Sequence, residues 1–136
     1  MNVIELPFVK KVGVQSGSDG KLMLEFKEDL CNHIQTIHAA AQFTLAETSS
    51  GEILQELFPD LADKVIPVLR DSQIKFRKPA KSDIYAFPSV SEESRSKFEE
   101  QFNRNGRGFI SVDVKVKDSE GVVTCTGTFT WFVQRL

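Results

Sequence analysis

A chain of 136 residues with 40% apolar residues, eleven phenylalanines, 26% charged residues and a net charge of −2 has ample material for one hydrophobic core, which excludes a disordered polymer. The small net charge gives no global reason to expect a nucleic-acid partner. No apolar run approaches the roughly 18–20 residues of a membrane-spanning helix, so the expectation is one domain over residues 1–136, away from the membrane.

In chain order, the apolar residues between Ile4 and Val14 predict an extended segment, closed by the turn cluster from Ser16 to Gly20. The next stretch alternates, placing Leu22, Leu24 and Phe26 on one face of a strand. From about His38 the pattern becomes helical. Phe43, Leu45, Ala46, Ile53, Leu54, Leu57 and Phe58 spread too far around the wheel for a surface helix, which predicts a helix buried on most sides. Pro59 should end it.

Alternation returns from Asp71, with Ser72, Ile74 and Phe76 facing one way and Gln73, Lys75 and Arg77 the other. Asp83 to Val90 predicts another strand. Ser91 can cap a short, largely solvated helix, with Glu92 and Glu93 in its first turn and Gly106 at its end. The last strands form the clearest hairpin: Ile110, Val112, Val114 and Val116 alternate with polar residues, Asp118 to Gly121 turn, and Val122 to Val133 runs back. The sum is an α+β fold in which a curved, mostly antiparallel sheet wraps one long central helix.

The start of that helix carries the chemistry. His38 precedes Ala39, Ala40 and Ala41, so the first free backbone N–H groups, at the positive end of the helix dipole, have only methyl groups around them. A ligand oxygen can approach closely. Small residues can equally serve helix–sheet contact. Glu47 then stands in a mainly apolar stretch, where a carboxylate is costly unless it is solvated or used. At about 100° and 1.5 Å per residue, the nine positions from His38 to Glu47 put them on roughly opposite faces, about 13–14 Å apart. One copy cannot easily join them. A two-fold dimer with antiparallel helices would, twice over.

These residues bring a resemblance into view. Asn32, His38 six residues on, and Glu47 nine beyond that are similar to the pattern of hotdog-fold thioesterases, in particular the phenylacetyl-CoA thioesterase-like group. The order of strand, strand, helix and a run of strands resembles that superfamily over most of the chain. The resemblance implies an acyl-CoA thioesterase assembled as a homodimer or homotetramer, with no metal or organic cofactor and CoA present only as part of the substrate. It implies Glu47 as general base or nucleophile, Asn32 as the group that orients water or thioester, and the Ala39 N–H as oxyanion donor with His38 beside it. Two departures stand out. Ala39 and Ala40 replace the usual pair of glycines, and Leu69 occupies the place where many members carry Ser or Thr. They keep open a non-catalytic acyl-CoA or acyl-chain binding protein, and a dehydratase of the same fold is a third reading.

Two basic groups can contact CoA phosphates or simply form solvated faces: Arg77, Lys78 and Lys81 after one strand, and Arg104 and Arg107 before another. His33 and His38 complete no metal-ligand set. Cys31 and Cys125 lack CxxC spacing, and the first residues lack the pattern of a signal peptide, so free thiols in the cytoplasm are expected.

Overall fold

The last two strands organise the molecule. In the computed structural model, which describes Met1–Leu136, β5 (Arg107–Asp118) and β6 (Val123–Arg135) pair antiparallel along almost their whole length. Ile110, Val112, Val114 and Val116 are all buried, as the period of two requires. The turn between the strands is held by Asp118, whose carboxylate accepts from the Glu120 and Val122 N–H groups at 2.9 Å each.

Around this pair lie β1 (Gln15–Ser16), β2 (Leu22–Leu24), β3 (Val65–Phe76) and β4 (Ile84–Ser89), in the order β1-β2-β4-β5-β6-β3, every pair antiparallel. Long β3 forms one edge and is paired only by β6, with a register shift between Leu69 and Asp71. Pro67 fits there because an edge strand can forgo a ladder donor. Ile66, Val68 and Phe76 are exposed along it.

The central helix is α2 (Ala39–Leu57). Leu45 and Ala46 are fully buried in a single core cluster with Leu24, Ile84, Ala86, Val112, Val114 and Phe129. The helix also buries Thr44, Thr48, Ser49 and Ser50. The hydroxyls of Thr44, Thr48 and Ser50 donate to the carbonyls of Ala40, Thr44 and Glu47, at 2.9, 2.6 and 2.7 Å. Short hydroxyl side chains can thus be buried without leaving donors unpaired. On the sheet, a Cβ on Gly127 would lie 2.8 Å from the Phe129 ring, so glycine gives that ring room, and Phe129 meets Phe43 edge-on at 5.6 Å.

Two expectations need correction. The segment from Ile4 to Val14 is mostly helical: a 3₁₀ turn, Val3–Glu5, leads into α1 (Pro7–Val12). Proline at the first helical position and Gly13 at φ +99° after the last outweigh the extended apolar pattern. Phe26 lies beyond the end of β2 and is exposed rather than aligned with buried Leu22 and Leu24. As expected, α3 (Glu92–Asn105) is capped by Ser91, closed by Gly106 and largely solvated; its buried side chains are Phe98 and Phe102. Their spacing of four puts both rings on one stripe, and Phe98 meets Phe58 at 5.2 Å.

Candidate active site

The loop before α2 is self-contained. The Asn32 carboxamide oxygen accepts from the Ile34 and Thr36 N–H groups at 3.1 and 3.0 Å, and its nitrogen donates to the Thr36 hydroxyl at 2.9 Å. Ile37 donates its N–H to Ala80 O at 2.9 Å, and His38 donates its own to Leu30 O at 2.8 Å. Gln35 takes a left-handed φ of +61° to close the loop. Asn32, read as a candidate for orienting water, is committed here to loop geometry.

His38 is the N-cap of α2. Its Nδ1 accepts from the Ala40 N–H at 2.9 Å, so in the neutral ring the proton sits on Nε2. Ala41 and Gln42 donate to the His38 carbonyl. The Ala39 N–H is left without a partner in the chain, and Ala39 and Ala40 are exposed. One backbone donor at the positive end of a 19-residue helix is therefore open to a ligand oxygen.

Glu47, two and a half turns along α2, is half-buried, and its carboxylate makes no hydrogen bond or ion pair. Burial pushes its pKa above 4.5. It borders a cavity of about 760 Å³ between the later turns of α2, the start of β3 and the N-terminal segment. Trp131 forms part of the lining, and its Nε1 donates to the Ser50 hydroxyl at 2.9 Å. A Cβ on Gly51 would come within 3.3 Å of the indole, so glycine there lets the ring lie against the helix. Ser50, Gly51 and Trp131 went unread in the sequence; the buried Ser-Ser-Gly stretch inside a helix was the available signal.

The candidate residues do not form one cluster within a copy. Glu47 lines the cavity, whereas Asn32, His38 and Ala39 are absent from its walls. The basic residues also separate. Ala80, bonded to Ile37, places the run Arg77, Lys78 and Lys81 near the start of α2. Arg77 donates its side-chain Nε to Thr126 Oγ1 at 3.2 Å and its N–H to Thr124 O. Arg107 pairs with Gln134, ten residues further along β6 than Thr124, or about 34 Å. Arg104 is occupied by Glu100 at 2.7 Å. Within one copy, the two basic groups cannot grip one CoA. Leu69 is half-buried on β3 opposite Trp131 and supplies no hydroxyl.

Comparison with known proteins sets this geometry in context. A Pseudomonas aeruginosa protein of unknown function, described as a probable thioesterase, superposes with a TM-score of 0.80 at 23% identity, covering 98% of this chain and 91% of that one. A Bacillus halodurans protein solved with CoA gives 0.71 at 22% identity, covering 93% and 74%. A Haemophilus influenzae thioesterase gives 0.73 at 16% identity, covering 98% and 87%. No curated protein matches the chain in sequence. The six-stranded antiparallel sheet around one long helix is the hotdog fold that these structures share. Residues 7–133 match the domain of unknown function DUF4442, and the chain belongs to that family.

Proposed function

We propose that the protein hydrolyses the thioester of an acyl-CoA and works as a dimer, or a dimer of dimers, in which each site takes Glu47 from one copy and the α2 start from another. Glu47 carries this reading: a half-buried, unpaired carboxylate with a raised pKa at the edge of an apolar cavity. Glu47 accepts a proton from water as the water oxygen attacks the thioester carbon. Negative charge on the carbonyl oxygen is received by the unpartnered Ala39 N–H. The C–S bond then breaks, Glu47 returns the proton to the departing sulfur, and acid and CoA leave. Attack by Glu47 itself, through a mixed anhydride opened by water, balances equally. No metal or organic cofactor takes part. Arg77, Lys78 and Lys81 stand on the side where CoA phosphates would lie if the carbonyl meets Ala39. The CoA carried by the Bacillus halodurans structure supports this substrate class. Two unpaired cysteines fit a reducing cytoplasm.

CoA release followed with a thiol reagent tests the proposal. Glu47→Gln should slow release by about a hundredfold or more, the scale of general-base loss. An unchanged rate would remove Glu47 from the mechanism. Asn32 and His38 are committed to loop and cap, and Leu69 has no hydroxyl, which favours a second reading of acyl-CoA binding without turnover. Calorimetric binding without product would select it.

A further inference from the structure

The cavity beside Glu47 is far larger than a thioester carbonyl requires. One wall is a stripe of α2 running from Glu47 through Thr48, Gly51, Leu54 and Gln55 to Phe58 just past its end. The facing walls are Val3 and Val9 of the N-terminal segment, Val65 and Ile66 of β3, and Trp131. Fifteen of the twenty-two lining residues are hydrophobic, and the only ionisable side chains are Glu47 and Asp63. No basic side chain lines it, and the one positive group beside it, the Met1 ammonium, is engaged by Gln55 Oε1 at 2.9 Å.

Length and volume restrict the occupant. From Glu47 to Phe58 the stripe climbs about 16 Å at 1.5 Å per residue. Carbon chains with bonds of about 1.5 Å at tetrahedral angles advance about 1.3 Å per carbon when extended, so about a dozen carbons span the stripe. A methylene needs roughly the volume of a liquid water, about 30 Å³. The cavity of about 760 Å³ holds such a chain with space to spare.

We propose that this cavity is the tail pocket for a long, unbranched aliphatic acyl chain, entering at Glu47 and extending toward Phe58. The placement of the reacting carbonyl at Glu47 rests on the thioester-hydrolase reading; the tail pocket rests on the cavity itself. Leu6, Phe8 and Ile66 line the cavity and are themselves exposed, so part of its apolar wall is open to solvent.

The single tryptophan, Trp131, lines the cavity and reports on it directly. The full chain is titrated with neutral brominated fatty alcohols of eight, twelve and sixteen carbons, with bromine quenching as readout. Saturating quenching should exceed half. Affinity should rise about fourfold per carbon at first and level off beyond about a dozen carbons, where the stripe ends. Leu54→Phe should move the plateau to shorter chains, and exposed Ile66→Glu should weaken the twelve-carbon probe at least tenfold. Absent quenching, or equal affinity at all lengths, overturns the pocket. An Ile66→Glu protein that binds the twelve-carbon probe as tightly as the native chain also overturns it. Thioester cleavage indifferent to tail length, with Trp131 silent, removes the pocket and leaves the hydrolase reading standing. Quenching as predicted without any CoA release keeps the pocket and removes hydrolysis.

Discussion

Glu47 costs stability where it is proposed to act. Its folded pKa lies above 4.5 because burial disfavours the charged form, and no cation or donor offsets that. Between the unfolded value and the raised one, the folded state binds more protons than the unfolded state, so this residue's effect on stability worsens as pH rises through that window. Glu47→Gln should therefore raise the Tm at pH 8, and the gain should shrink as pH falls toward 4.5. The same change should abolish the acid limb of the pH–rate profile along with most of the rate, because a base works only when deprotonated. Glu52 is the control. Its pKa is raised by burial and then by Glu56 one turn away. Glu52→Gln should also raise the Tm at pH 8, yet leave the rate and its acid limb in place. Thermal scans from pH 4 to 9, paired with rates, separate the two. A Glu47→Gln protein that is less stable at pH 8 would contradict this account of its burial. Ser50 belongs to the same surroundings: it donates to Glu47 O and accepts from Trp131. Ser50→Ala strands a buried indole N–H and should cost about 1–3 kcal/mol in denaturant unfolding.

At the scale of the element, α2 separates capping from chemistry at its first residues. His38→Ala should cost about 0.5–2 kcal/mol by losing the cap, whereas His38→Asn should restore it, because asparagine is a strong N-cap. If His38→Asn also restores turnover, the imidazole serves the helix and not the thioester. Ala39→Pro is the sharper probe. Proline suits the first helical position, and the N–H it removes has no partner in the chain, so folding should be spared while CoA release falls. His38 already has ψ 142°, which a following proline tolerates. Both ends of α2 were legible because the signals are local: a polar cap before three alanines, and Pro59 after Phe58. α3 was legible at its ends for the same reason. The N-terminal segment was misread because its apolar residues fit a strand, while Pro7 and Gly13 marked a short helix. The first half of β3 gave no alternation, since edge position leaves Ile66, Pro67 and Val68 exposed in succession. The cavity had no sequence signature. Its walls come from segments as far apart as Val9, Leu54 and Val133, and only the fold brings them together.

At the scale of the whole molecule, one copy leaves its proposed chemistry divided. The helix start with its open N–H lies outside the cavity that Glu47 borders, and about 12 Å of α2 separates them. β3, meanwhile, presents an unpaired edge of twelve residues with Val68 and Phe76 exposed outside the cavity. An edge of that length, without a covering element, is a natural place for a second copy to join the sheet. If each site draws Glu47 from one copy and Ala39 from its neighbour, two defective proteins should complement each other. Glu47→Gln and Ala39→Pro proteins are each expected to be inactive. Unfolded together and refolded as a mixture, half of the dimers carry one copy of each. In such a dimer, one site holds both defects and the other holds neither, so the mixture should recover about a quarter of the native rate. Recovery should appear only after subunit exchange, while sedimentation shows the same mass before and after. A mixture that stays inactive although exchange is complete would place both groups of each site in a single copy, and the helix start of the neighbour would have no part in the reaction.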